Sequence, residues 1–339
     1  YYRRKEGELM KANPLLIGRF APTPSGRMHL GNIWTALIGW LAVRSSGGKF
    51  LLRIEDLDPR ARKKETSDQL IDDLLWLGLD WDKEPIYQSQ RAYLYRTALK
   101  RLEAAKLTYP CFCTRTELHA AEAPHTSDGT YIYQGTCRNL TQKELQRRMK
   151  TQRPAIRLKV PAISDPCGKF EVRDLVYGLH TEILARDCGD FLICRSDGIF
   201  AYQLAVVVDD GLSGVNLIVR GHDLLGSTGR QTYLARLLGF RPPRYAHVPL
   251  LIAADGKRLS KREHDFDLGA LRNAGVSPEH IIGTLAWKMG FNTRGIDARP
   301  ADLINSFSWE ILRTNRQDIV VNKDFLDKLG IAAPPMSGV

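Results

Sequence analysis

Several groups of residues in this chain have types and spacings that can do chemistry. The first is His29-Leu30-Gly31-Asn32, which stands between two apolar runs, Leu15 to Phe20 and Ile33 to Val43. His29 can donate to phosphate oxygens, and Gly31 lets a nucleotide approach the backbone. The second is Cys111-x-Cys113 with Tyr133-x-x-x-Cys137 downstream. Thiolates bind zinc well, and a site closed by four protein ligands is structural rather than catalytic. Three cysteines leave one place open, with His119 and His125 lying between the two halves. The third is Glu55, in an acidic loop, which can accept the ammonium of an amino acid. The fourth is Arg220, whose planar fork of donors suits a carboxylate.

These groups need elements to position them. The run ending at Phe20 reads as a buried strand, broken by Pro22, Pro24 and Gly26. Asn32 is expected to cap a helix that is apolar nearly all round. A helix start carries unpaired N–H groups and partial positive charge, which suits a phosphate. Lys49 to Asp58 reads as a second strand running into the acidic loop. Strand, helix and parallel strand make a right-handed unit of a doubly wound sheet, whose ligands sit at the carboxyl ends of the strands. Further helices are predicted over 65–77, ending at Gly78, and over 90–105, with Tyr93, Leu94, Ala98, Leu99 and Leu102 as a core-facing stripe. Strands are expected over 153–160, 170–184 and 190–195. Arg195-Ser196-Asp197-Gly198 is a turn signal between apolar runs, which reads as a hairpin. Leu217 to Asp223 is a buried strand ending in polar groups, and Tyr245 to Ile252 reads as the last strand. From about Asp265 the chain is expected to be helical, with Ser277 as an N-cap and Pro278 in the first turn.

Composition bounds the rest. The 339 residues are 43% apolar, enough for a real core and two or three domains. No run approaches the roughly 18 uncharged apolar residues of a membrane span, and no signal-peptide pattern opens the chain. It begins Tyr1-Tyr2-Arg3 without Met, so the start is expected upstream or at Met10. The formal charge of +11 suits a polyanion such as RNA. Six cysteines, three of them clustered, suggest a metal in a reducing cytoplasm rather than a disulfide framework.

The whole stretch Arg19-Phe20-Ala21-Pro22-Thr23-Pro24-Ser25-Gly26, with His29-Leu30-Gly31-Asn32, resembles the signature of class I aminoacyl-tRNA synthetases, and within them the glutamyl branch. That resemblance implies a second signature downstream, found as Arg258-Leu259-Ser260-Lys261-Arg262. It implies an ATP-binding set of His29, Gly31, Asn32, Ser260 and Lys261. It also implies a glutamate set of Arg19, Ala21, Thr23, Glu55, Tyr202 and Arg220. Lys261 and His29 are then the catalytic pair. A lysine that neutralises charge only in the transition state raises the rate rather than mere binding.

The Cys and Tyr pattern and the Ala201-to-Asp210 run further resemble the short glutamyl-queuosine tRNA(Asp) synthetases. Tyr133 fills the place of a tyrosine ligand there, giving a zinc set of Cys111, Cys113, Tyr133 and Cys137. Val206 stands where ordinary glutamyl enzymes carry an asparagine. Seventy-eight residues follow Lys261, too few for the usual anticodon-reading bundles. The resemblance implies ATP with Mg²⁺, L-glutamate and queuosine-bearing tRNA(Asp) as partners, one structural Zn²⁺, and a cytoplasmic, monomeric enzyme. A truncated or discriminating glutamyl-tRNA synthetase that charges the 3′ end of tRNA(Glu), or a catalytically silent RNA-binding paralogue, is the alternative. The implied architecture is an extension (1–14), a first catalytic half (15–108), a zinc-bearing insert (109–190), a second catalytic half (191–262) and a helical module (263–339).

Overall fold

The apolar run before the prolines forms β1 (Ile17–Phe20), and the run after them forms α1 (Leu30–Arg44). The computed structural model describes residues 15–114, 116–117, 132–253, 256, 267–292 and 295–330. β2 (Lys49–Ile54) lies parallel to β1, with Phe20 opposite Leu52. α2 (Lys64–Trp76) ends before Gly78, whose φ of +75° suits a residue without a Cβ. β3 (Ile86–Tyr87) pairs with the end of β2, and α3 (Ala92–Ala104) follows. Tyr95, Ala98 and Leu102 form the buried face of α3, while Tyr93 is 66% exposed. The expected stripe was therefore set wrongly at Tyr93: the i, i+3, i+7 row runs from Tyr95.

An antiparallel unit comes next. β4 (Thr108–Cys111), α4 (Gln142–Met149), β5 (Ala155–Leu158), the hairpin β6 (Lys169–Asp174) and β7 (Gly178–Ile183), and β8 (Phe191–Cys194) make it up. β5 lies between β4 and β8. The turn at Arg195 to Gly198 forms, with a single bridge from Cys194 to Phe200. The second apolar run is not a strand, however. It is α5 (Tyr202–Leu212), buried from Gln203 to Asp210. An all-apolar run does not distinguish strand from buried helix by periodicity.

The chain then re-enters the parallel sheet as β9 (Leu217–Gly221), crosses through α6 (Thr228–Leu237) and returns as β10 (Arg244–Val248), parallel to β9. Asn216 ties β9 to β1, donating its N–H to Ile17 O at 3.0 Å and accepting from Ile17 N at 2.9 Å. The parallel order is thus β3-β2-β1-β9-β10, as expected of a doubly wound sheet. The strand expected over 245–252 breaks at Pro249, which has no N–H for a ladder. Its remainder, β11 (Leu251–Ala253), pairs instead with a late strand. The C-terminal part comprises α7 (Leu268–Asn273), α8 (Pro278–Met289), α9 (Trp309–Thr314), β12 (Ile319–Val321) and α10 (Lys323–Lys328). Ser277 caps α8 as expected, but β12 is a strand inside the region read as helical. Among the described residues no helix is long and apolar enough to cross a membrane.

One face of the sheet packs Phe20, Phe50, Leu52, Ile54, Leu217, Val219, Ala246 and Val248 against α1, α2 and the C-terminal helices. Side chains alternate along a strand. The positions between these therefore face the other way, and they are Arg19, Arg53, Arg220 and His247. A parallel sheet buried on both faces rarely carries so much charge, and α5 supplies the counter-charge.

Candidate active site

The turn from β1 to α1 builds an anion site. His29 is the residue that caps α1: its Nδ1 accepts from Gly31 N at 3.1 Å, and Asn32 Oδ1 accepts in return from His29 N at 3.3 Å. The expected cap at Asn32 is thus corrected. Asn32 sits three residues into the helix as the reciprocal half of a capping box. With Nδ1 accepting, the neutral ring carries its proton on Nε2, the nitrogen able to donate to a phosphate. A Cβ at residue 31 would stand 3.0 Å from the His29 ring, so glycine also makes room for the cap.

A cleft of about 430 Å³ opens at the carboxyl ends of the parallel strands. Arg19, Ala21, Thr23, Glu55, Tyr202 and Arg220 line it, together with His29, Gly31 and Asn32. All described members of the two expected sets therefore meet in one cavity. Ser260 and Lys261 lie outside the described residues. The ends of their segment do not: Leu251 lines the cleft, and Leu268 N donates to Met28 O at 2.8 Å, beside His29.

Beneath the cleft lies a charge network that motif reading missed. Arg53, 2% exposed, donates through Nη1 to Asp210 and through Nη2 to Glu55 Oε1 at 2.9 Å. Arg19 Nε reaches the same Asp210 oxygen at 3.3 Å. Burial pushes the Glu55 carboxyl above its ordinary value, and Arg53 and Arg19 partly offset this. Burial also works against Asp210, but the two guanidiniums outweigh it and hold the carboxyl below its ordinary value. The adjacent Asp209 is satisfied separately by Tyr95 Oη, Gln88 Nε2 and Arg91 Nε, all within 2.9 Å.

Arg220 is held as firmly. Its Nε donates to His247 Nε2 at 3.0 Å, Nη1 to Gln231 Oε1 at 2.7 Å, and Nη2 to Leu224 O and Thr228 Oγ1. An arginine N–H only donates, so His247 accepts, and its ring proton sits on Nδ1, 2.7 Å from Asp174 Oδ2. Burial lowers the His247 pKa to about 4, against the pull of Asp174. The ring is therefore neutral in ordinary conditions. Asp174 comes from the β6–β7 hairpin, so the antiparallel unit helps to aim an arginine of the parallel sheet.

The cysteines converge. Cys111, Cys113 and Cys137 place their sulfurs within 4.8 Å of one another. Tyr133 Oη lies 3.5 Å from both Cys111 Sγ and Cys113 Sγ and accepts from Cys137 N at 2.7 Å. Burial pushes the Cys113 thiol up to about 12 and raises the Tyr133 phenol. Such groups ionise at neutral pH when a cation replaces the lost water. Arg157 is placed to balance the resulting negative charge, with Nε 3.3 Å from Cys111 Sγ and its guanidinium 3.8 Å above the Tyr133 ring. Three sulfurs and a phenol oxygen so grouped fit one tetrahedral zinc. His119 and His125 lie outside the described residues.

Residues 16–325 match the family of class I tRNA synthetases for glutamate and glutamine, catalytic domain. The Glutamyl-Q tRNA(Asp) synthetase of Nitratidesulfovibrio vulgaris is 45% identical over 93% of this chain and 98% of its own length. That of Symbiobacterium thermophilum is 44% identical, over 90% and 95% respectively. The chain belongs to the glutamyl-Q tRNA(Asp) synthetase family. The glutamate–tRNA ligase of Aquifex aeolicus is 40% identical, but the match spans 64% of its length. A solved glutamate-tRNA synthetase from Elizabethkingia anophelis superposes with a TM-score of 0.77 at 24% identity, over 93% of this chain and 70% of that one. At that identity the likeness speaks for the fold. In this glutamyl-Q synthetase family member, the buried face behind the cleft belongs to Arg53, Asp210, His247 and Asp174.

Proposed function

We propose that this chain activates L-glutamate with ATP and esterifies it to the queuosine of tRNA(Asp). In the first step a glutamate carboxylate oxygen bonds to the α-phosphorus, and the bond to pyrophosphate breaks. In the second, a hydroxyl of the queuosine cyclopentenediol takes the acyl group, and AMP leaves. Neither step needs a covalent enzyme nucleophile. The chemistry asks for orientation and for compensation of the charge that builds on phosphate.

The observation that carries this reading is the single cleft shared by the amino-acid and phosphate residues. Glu55 offers a carboxylate to the ammonium, and Arg220 a cation to a carboxylate. Arg19, Ala21, Thr23 and Tyr202 complete the glutamate pocket. The α1 N-terminus and His29 Nε2 face the phosphates. Lys261 would act on the leaving pyrophosphate, and Ser260 beside it would contact ATP. Mg²⁺ accompanying ATP would share the charge of the triphosphate. Zinc held by Cys111, Cys113, Tyr133 and Cys137 would pin the antiparallel unit and take no part in the reaction.

The test is transfer of labelled glutamate to tRNA(Asp) with queuosine, beside tRNA(Asp) without it and tRNA(Glu). Label confined to the queuosine-bearing RNA supports the reading. Label on tRNA(Glu) means that the 3′ end is the acceptor, and no label with intact ATP–pyrophosphate exchange means another acceptor. Absence of both leaves a binding protein. Lys261→Ala is expected to lower exchange about a hundredfold while the protein stays folded by circular dichroism; unchanged exchange excludes the role. Metal analysis is expected to find one zinc per chain, and Cys111→Ser to remove it. A metal-free native protein would end the zinc assignment.

A further inference from the structure

The helix α4 has a face for which neither the cleft nor the cysteine cluster accounts. Thr141 caps it in a reciprocal box with Glu144: Glu144 N donates to Thr141 Oγ1 at 3.3 Å, and Thr141 N to Glu144 Oε2 at 3.0 Å. One side rests on the protein. Leu145 packs against the cysteine cluster, and the Arg148 guanidinium lies 5.9 Å from the centre of the Phe112 ring. The opposite side presents Lys143, Gln146, Arg147 and Lys150, all exposed. Their spacing of i, i+3, i+4 and i+7 makes one stripe about 10 Å long. Arg153, also exposed, continues it.

The stripe differs from the ion-paired part of the basic surface. There exposed arginines meet neighbouring acids, as in Arg60–Asp58, Arg186–Asp187 and Arg299–Asp302, although other exposed arginines, such as Arg96, Arg101 and Arg173, also stand without an ion pair among the described residues. Among the described residues no ion pair joins Lys143, Arg147, Lys150 or Arg153. The one acid of the helix, Glu144, is committed to the cap. Four cations held at fixed spacing on a small rigid unit raise the local potential at a cost in self-repulsion that a merely solvated face would not need. A lipid surface is a poor fit, because Met149 is the one exposed large apolar side chain of this helix, short of the apolar face with which an interfacial helix inserts.

We propose that this face of α4 binds the phosphate backbone of the substrate RNA, and that the Cys111, Cys113, Tyr133 and Cys137 cluster beneath keeps it rigid. The inference rests on the RNA acceptor proposed above. Gln146 adds an amide donor between the cations, a group that also pairs with phosphate oxygens. The stripe reads no base. It adds affinity and salt dependence rather than discrimination between sequences.

The test is the triple variant Lys143→Gln/Arg147→Gln/Lys150→Gln. The three positions are exposed and glutamine suits a helix, so the fold is retained. Binding of fluorescent tRNA(Asp) is measured between 50 and 200 mM salt. The slope of log affinity against log salt is expected to become shallower by about 2, and affinity at low salt to fall at least about tenfold. ATP–pyrophosphate exchange at saturating RNA is expected to match the parent protein. The double variant Arg299→Gln/Arg313→Gln, which removes paired arginines, is expected to leave the slope unchanged. An unchanged slope in the triple variant overturns the proposal, as does a fall in exchange parallel to binding. If the parent binds tRNA but does not glutamylate queuosine, the acceptor reading fails, and the stripe is still decided by the slope.

Discussion

Replacing Arg53 with methionine is expected to cost about 3–5 kcal/mol of folding stability, read by urea unfolding at pH 7. Arg53 is 2% exposed and is shared by Asp210 and Glu55. Methionine fills much of the same space, so the loss is electrical rather than a cavity. Asp210 would keep only Arg19, at 3.3 Å, and Glu55 would face Asp210 without the cation between them. Asp209, whose Oδ2 lies 4.0 Å from Arg53 Nε, loses less, because Tyr95, Gln88 and Arg91 hold it. The deficit has a definite pH dependence. Asp210 has a depressed pKa in the native protein, so its contribution is present above the unfolded value and lost as pH falls through the folded one. Glu55, already raised by burial, rises further without Arg53. Both penalties exist only where the unfolded chain has ionised carboxylates, above roughly pH 4. The gap between variant and parent is therefore expected to narrow from pH 7 towards pH 4. A gap below about 1 kcal/mol at pH 7, or one that widens on acidification, would contradict this account of the buried face.

The strand, turn and helix around His29 were legible because Pro22, Pro24 and Gly26 bracket them with punctuation that local chemistry dictates. The convergence of Cys111, Cys113 and Cys137 was legible for a similar reason, since thiol chemistry limits what such spacing is for, whereas Tyr133 was suggested by the family resemblance alone. Lost in the reading were partners that only the tertiary fold brings together. Arg53 and Asp210 are 157 residues apart, and Asp174 reaches His247 across 73. A signal for them did exist. Alternation along four strands puts Arg19, Arg53, Arg220 and His247 on one face, and that much charge inside a parallel sheet demands counter-ions. The adjacent Asp209 and Asp210 in an otherwise apolar helix are the obvious source. Tyr93 and β12 failed for opposite reasons. In α3 a two-residue shift in phase, from Tyr95 to Tyr93, moves a side chain from core to solvent. In β12 three residues form a strand only because β11 lies alongside.

Arg220→Gln is expected to raise the KM for glutamate in ATP–pyrophosphate exchange by about a thousandfold, equivalent to about 4 kcal/mol. Four of the five N–H groups of Arg220 are directed at His247, Gln231, Leu224 and Thr228. Only one Nη1 N–H and the positive charge remain for the cleft, so the bidentate grip expected from the side chain's shape is replaced by a single donor and a fixed field. The protein has arranged that field carefully. The neighbouring His247 is kept neutral by burial, with a pKa of about 4, and therefore accepts from Arg220 instead of repelling it. Lysine at 220 would retain the charge but could not reach the same acceptors from one nitrogen, so Arg220→Lys is expected to recover only part of the loss. The pH profile separates this arginine from Glu55. As pH falls, Glu55 should protonate first, above the ordinary carboxylate value, and weaken the hold on the ammonium. His247 should protonate only near 4, after which an imidazolium stands against Arg220. The acid limb of kcat/KM for glutamate should thus survive in Arg220→Lys and disappear in Glu55→Gln. A KM within tenfold of the parent in Arg220→Gln, with the fold intact by circular dichroism, would move the carboxylate to Arg19, the buried arginine beside Glu55 that also lines the cleft.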